Sequence, residues 1–174
     1  LREKINRAKS SVVGYNKALW KNHGGPRSVE WESEPDHEIQ QALKYLARLV
    51  RFGRAPLEDG SPTREGPYRI LYRLYDIARG RALLYNRQHL VIEDVTMCAH
   101  IALSTMPEKR REILRPVLHP KTDNRLTRSQ IEPWVSISRK TLLDRMEMLE
   151  TLEIGKLVEA TGRSTRVFML DEKF

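Results

Sequence analysis

A single cysteine, Cys98, stands among the 174 residues. That scarcity excludes an internal disulfide framework and points to a reducing compartment, the cytoplasm. Cys98 lies on an apolar helical stretch and is expected to be a small core residue. Long apolar runs are missing as well. None approaches the ~18 residues a membrane span needs, so no membrane partner is expected. No signal peptide is visible, and the chain begins with Leu1 instead of methionine, which predicts a fragment of a longer polypeptide. Internal repeats and low-complexity segments are absent. The five histidines, His23, His37, His89, His100 and His119, lack metal-ligand spacing, and one cysteine does not anchor zinc. There is no GxxxxGK(S/T) loop to cradle phosphates, no strand followed by paired acids for magnesium, and no Ser-His-Asp or Cys-His arrangement. Asp76, Glu93 and Asp94 read as solvated carboxylates on helix surfaces. No catalytic residue, metal or cofactor is therefore expected in this chain alone.

Acidic balance is also lacking. The net charge is +8, with 17 basic and 12 acidic residues in 1–106 and 14 and 11 in 107–174, so the excess is spread along the chain. A basic surface concentrates polyanions, which makes nucleic acid the leading partner class beside the plain alternative of a basic soluble protein. The apolar content of 40% suffices for real cores.

Read in order, residues 1–35 hold a mixed segment in which Ile5, Val12, Val13, Leu19 and Trp20 make one helix face interrupted by Gly14, then a breaker at Gly24-Gly25-Pro26 and an acidic, extended stretch with Trp31 as an anchor. Residues 36–106 read as three helices. Asp36 caps the first, which carries Ile39, Leu43, Leu46 and Val50 and stops near Gly53. Gly53 to Gly66 reads as a loop. Pro67 opens the second, with Ile70, Leu71, Leu74, Ile77, Ala78 and Ala82 on its apolar face, and Asn86 closes it in the left-handed conformation. Val91 begins the third, with Glu93 and Asp94 at the favourable end of the helix dipole.

Residues 107–174 follow another plan. Glu108 to Leu118 is a short helix. Pro120 to Arg125 is a polar loop. Thr127 caps a brief helix to Trp134, and Ser138 caps a longer one with Leu142, Met146, Leu149 and Leu152 inward, which Gly155 breaks. Lys156–Ala160 and Arg166–Leu170 form a hairpin around the tip Thr161–Thr165. The expected fold class is thus mainly α: a helical bundle followed by a winged helix-turn-helix with a small β-hairpin. A helix pair with a short turn projects its second helix into the major groove of double-stranded DNA. That helix begins Ser138, Arg139, Lys140, Thr141. Arginine and lysine reach guanine edges or phosphates, and the free N–H groups attract phosphate. The candidate DNA-binding set is Thr127, Arg128, Ser138, Arg139, Lys140 and Thr141, with Arg163 on the wing.

Residues 126–160 resemble the winged helix-turn-helix of many prokaryotic DNA-binding proteins, through Thr127, Ser138, Arg139, Thr141, Leu149, Leu152 and Gly155. Two departures stand out. Pro133 should shorten or kink the brief helix, and Glu150 and Glu153 make the end of the recognition helix acidic. Residues 67–105 resemble the lid subdomain of AAA+ ATPases, nearest to the magnesium-chelatase-like and minichromosome-maintenance groups. The likeness is carried by Pro67-Tyr68-Arg69, by Ala78-Arg79-Gly80-Arg81-Ala82-Leu83-Leu84 and by Val91-Ile92-Glu93-Asp94-Val95, with isoleucine where threonine is usual. It implies that Arg69 senses nucleotide γ-phosphate, and that ATP and magnesium bind an ATPase core preceding Leu1. The other reading of Arg69, Arg79 and Arg81 is a solvated or phosphate-contacting face. Three functions stay open: the DNA-binding end of a larger ATPase, a stand-alone regulator that forms a homo-oligomer through its N-terminal helices, and a winged helix used only for protein contact.

Overall fold

The computed structural model describes residues 2–25, 28–31, 35–58, 61–62, 66–119, 122, 124–159 and 166–174. Among them the chain is mainly helical, with one small three-stranded sheet near its C-terminus. Helix α1 (Arg2–Asn22) runs through Gly14 unbroken, and a side chain at that position would meet open space. Ile5, Val12 and Val13 on it are exposed, and Tyr15 ties it to the body by donating to the Leu84 carbonyl at 2.6 Å.

The bundle is α2 (His37–Arg54), α3 (Pro67–Leu84) and α4 (Ile92–Ser104), each packed on the other two. Its helices bury the faces their spacing predicts: Ile39, Leu43, Leu46 and Val50 on α2, and Ile70, Leu74, Ala78 and Ala82 on α3. Pro67 takes the first turn of α3, and Asn86 sits at φ 55 where the chain leaves the helix. Cys98 is fully buried, and its thiol lies 3.4 Å from the Leu74 carbonyl. Trp31 packs under the Arg79 guanidinium, 5.2 Å from its ring centre.

Three expectations in this region are corrected. Asp36 is the N-cap of α2, but its side chain makes no capping hydrogen bond. The stretch Gly53 to Gly66 is not all loop: β1 (Leu57–Glu58) pairs antiparallel with β2 (Ser61–Pro62). Asp94 is not a solvated surface carboxylate. It has no solvent access, and it accepts from Arg81 at 2.5 Å, from Arg87 at 2.9 and 3.0 Å, and from the Val91 N–H at 2.9 Å. Arg81 is accordingly an ion-pair partner and not a free surface cation. Burial alone raises the Asp94 carboxyl, and the bonds from Arg87, Val91 and Arg81 outweigh it, so its pKa lies below the ordinary carboxylate range.

The C-terminal elements are α5 (Glu108–Val117), β3 (Arg125–Thr127), α6 (Arg128–Ile131), a 3-10 turn (Glu132–Trp134), α7 (Arg139–Thr151), β4 (Gly155–Glu159) and β5 (Arg166–Leu170). The sheet order is β3-β5-β4, all antiparallel, with Leu126 and Leu157 both opposite Phe168. Alternation along the strands turns Leu126 and Phe168 into the core beneath α7. The strand β3 is a departure from the two-stranded hairpin expected, because Arg125 to Thr127 pairs with β5 across residues 167–169. Gly155 is also reassigned. The helix ends at Thr151 with Leu152 as its C-cap, Glu153 takes the left-handed turn at φ 58, and Gly155 already lies in β4. A Cβ there would press into the Met169 carbonyl and sit 2.5 Å from the Phe168 ring, so close approach requires the glycine.

One hydrophobic cluster runs from α2 through α5 and α7 to Phe168. Arg110 of α5 is buried and donates to the Gly53 and Ala55 carbonyls at 2.8 Å each, closing the end of α2. Burial pushes its pKa down. Phe174 meets Phe52 edge-on at 5.4 Å.

Candidate nucleic-acid interface

The helix pair at residues 127–151 is set by its caps. Thr127 accepts from the Gln130 N–H at 3.3 Å while the Gln130 side chain accepts from the Thr127 N–H at 2.8 Å, a reciprocal capping box. Pro133 then converts the helix to a 3-10 turn after Ile131, the shortening its missing N–H predicts. Ser138 accepts from the Thr141 N–H at 3.2 Å and starts α7. Leu142, Met146 and Leu149 fasten the opposite face of α7 in the core with no exposure. The first turn of α7 is therefore held rigidly and faces outward.

Three cations meet there. Arg139 and Lys140 are exposed on the first turn of α7, and Arg128 stands on α6 across the turn. The carboxylate of Glu132 lies between the two arginines, 3.5 Å from Arg128 Nε and 3.3 Å from Arg139 Nε. Lys140 has no ion pair among the described residues. The first N–H groups of α7 add the positive end of the helix dipole. The local chemistry is that of an anion-binding projection.

The expected site residues divide by role. Arg128, Ser138, Arg139, Lys140 and Thr141 are brought together. Thr127, Ser138 and Thr141 are engaged first in capping, with Ser138 and Thr141 hydroxyls 2.8 Å apart. Arg163 lies outside the described residues. The acids that follow on α7 are largely bound to the sheet: Glu147 holds Arg166 at 2.8 Å and Glu150 accepts from the Leu157 N–H at 2.9 Å. Arg145 reaches Glu112 of α5. Sequence reasoning misses Glu132 as part of the site. Its spacing of four from Arg128 is the available signal, whereas its approach to Arg139 depends on the turn. Trp134, missed in the same way, is half exposed beside His119.

Arg69 occupies a separate place. It lines a cavity of about 220 Å³ with Arg54 and Arg73, over a floor that includes Ile70, Leu74 and Ile101. Arg73 also approaches Asp76 at 3.8 Å on the surface. Among the described residues no group of three metal-ligating side chains converges, and no helix is long and apolar enough to cross a membrane. Compared with known protein families, curated proteins and solved structures, the chain matches none.

Proposed function

We propose that this chain binds double-stranded DNA in a cytoplasmic setting, with the first turn of α7 in the major groove. The observation that carries the reading is the rigid, outward-facing turn bearing Arg139 and Lys140, with Arg128 beside it. Phosphate neutralisation by such cations releases counterions, so affinity should fall steeply with salt. The test is a duplex-binding titration across salt for the wild type and the Arg139→Ala/Lys140→Ala double variant. The variant should bind at least about tenfold more weakly, with a salt slope smaller by ~1 for each phosphate it no longer neutralises. Wild-type affinity in the double variant would remove the assignment.

A second reading concerns the bundle. Arg54, Arg69 and Arg73 all line that cavity, and clustered arginines suit an anionic ligand, which accords with the lid-like reading of residues 67–105. On that reading the chain is the DNA-binding end of a larger AAA+-type ATPase. ATP and magnesium then bind chiefly to another part of that protein, and Arg69 meets the nucleotide phosphates. Arg69→Ala in the full-length protein should lower ATP turnover and leave duplex binding by this chain unchanged.

A further inference from the structure

Glu132 places a negative charge at the centre of a surface that must approach a polyanion. Its cost is plain: a carboxylate near a phosphate backbone repels it. Its position suggests what offsets that cost. Atom Oε1 of Glu132 is shielded from solvent and makes no hydrogen bond among the described residues. The cations beside it are the guanidiniums of Arg128 and Arg139, and it approaches both through Nε. The side chain of Arg139 nevertheless remains 75% exposed. A guanidinium approached at Nε still has its two terminal nitrogens to offer at the far end of the plane.

Two parallel N–H donors match the O6 and N7 acceptors on the major-groove edge of guanine, a pairing that neither adenine nor the pyrimidines present. A long, exposed side chain loses rotamer freedom when it engages such an edge. A carboxylate 3.3 Å from Nε, ion-paired without a hydrogen bond, biases the guanidinium towards one side and so reduces that loss. It also weakens simple phosphate binding by the same arginine. Lys140, next along the helix and without a carboxylate partner among the described residues, is suited to phosphate. We infer that Arg139 reads guanine in the major groove and that Glu132 is its positioning residue, exchanging general affinity for base preference. This rests on the DNA-binding reading above and adds to it a ligand: a guanine edge.

The experiment selects duplexes from a random-sequence pool with the whole chain, then measures affinity for the enriched duplex with 7-deazaguanine, which lacks the N7 acceptor, placed at each guanine in turn. One such replacement should weaken wild-type binding about five- to a hundredfold, the range for a bidentate pair. The same replacement should not matter to Arg139→Ala. Glu132→Gln keeps the shape and removes the charge. It should bind unrelated duplex more tightly, show a salt slope steeper by about 1 and discriminate less against 7-deazaguanine. A purely structural role for Glu132 would alter the melting temperature and leave slope and discrimination alone. The inference is overturned if wild type binds duplex through Arg139 and Lys140 while no guanine is sensitive to the N7 deletion. It is equally overturned if Glu132→Gln keeps full discrimination and slope. Failure of the wild type to bind any duplex would instead remove the DNA-binding reading itself. The modified duplex needs no protein variant, so the test survives a misfolded Glu132→Gln.

Discussion

Asp94 is the residue whose surroundings differ most from what its sequence position suggests. Near the start of a helix, flanked by Glu93, it looks like a dipole-stabilising surface acid. Its partners Arg81 and Arg87 lie 13 and 7 residues earlier, on α3 and on the connection after it, and only packing brings them to one carboxylate. Removing one member of a buried cluster leaves the others uncompensated, so Asp94→Asn should cost about 3–5 kcal/mol at neutral pH. The sign with pH follows from the lowered carboxyl. The folded pKa lies below the unfolded value of about 3.9, so the stabilisation is complete above that pH and is lost as pH falls through the folded pKa. Urea melts of wild type and Asp94→Asn should differ widely at pH 7, and the gap should narrow as pH falls below the unfolded value towards the lowered folded pKa. A gap that persists unchanged in acid would mean that charge is not what the cluster supplies. Cys98, by contrast, is legible from its apolar neighbours. Its thiol is pushed up to about 11, chiefly by burial.

At the scale of elements, the helices and their caps are the most readable features. Thr127, Ser138 and Asn86 act by local bonds or backbone preference, and local causes appear in sequence. The apolar faces follow because burial selects one side of a helix. Strand β3 escapes sequence reading because three residues are too few for an alternating pattern, and its pairing with β5 joins segments about 40 residues apart. Gly155 misleads because glycine marks helix ends as readily as close strand packing. The two roles give different mutants. Gly155→Ala should destabilise by about 1–3 kcal/mol or more through overpacking against Phe168 and the Met169 carbonyl. Leu149→Ala, which empties a fully buried position, should cost ~2–5 kcal/mol. Thermal or urea melts measure both. A Gly155→Ala protein as stable as wild type would show that β4 shifts to accept a side chain. The first turn of α7 is legible as a serine-capped helix start with two adjacent cations, but the part played by Glu132 is not, because the 3-10 turn and the loop after it decide where the Arg139 side chain goes.

At the scale of the molecule, bundle and winged segment share one hydrophobic core, and Arg110, Phe52 and Phe174 bridge them. Two units so joined should unfold together. Denaturation followed by Trp fluorescence and by far-ultraviolet circular dichroism should give coincident transitions, apart from the exposed α1. Arg110→Ala leaves the Gly53 and Ala55 carbonyls without their donor and should separate the two curves. Such coupling means that the orientation of α7 is fixed relative to the bundle. The proposal that this turn meets DNA is tested most directly by hydrogen–deuterium exchange of the whole chain, with and without saturating duplex at low salt. Exchange should slow most in residues 128–141, with α2–α4 slowing only by the gain in global stability that a ligand gives a cooperative unit. Duplex bound with protection confined to the bundle or to α1, and none at 128–141, would contradict it.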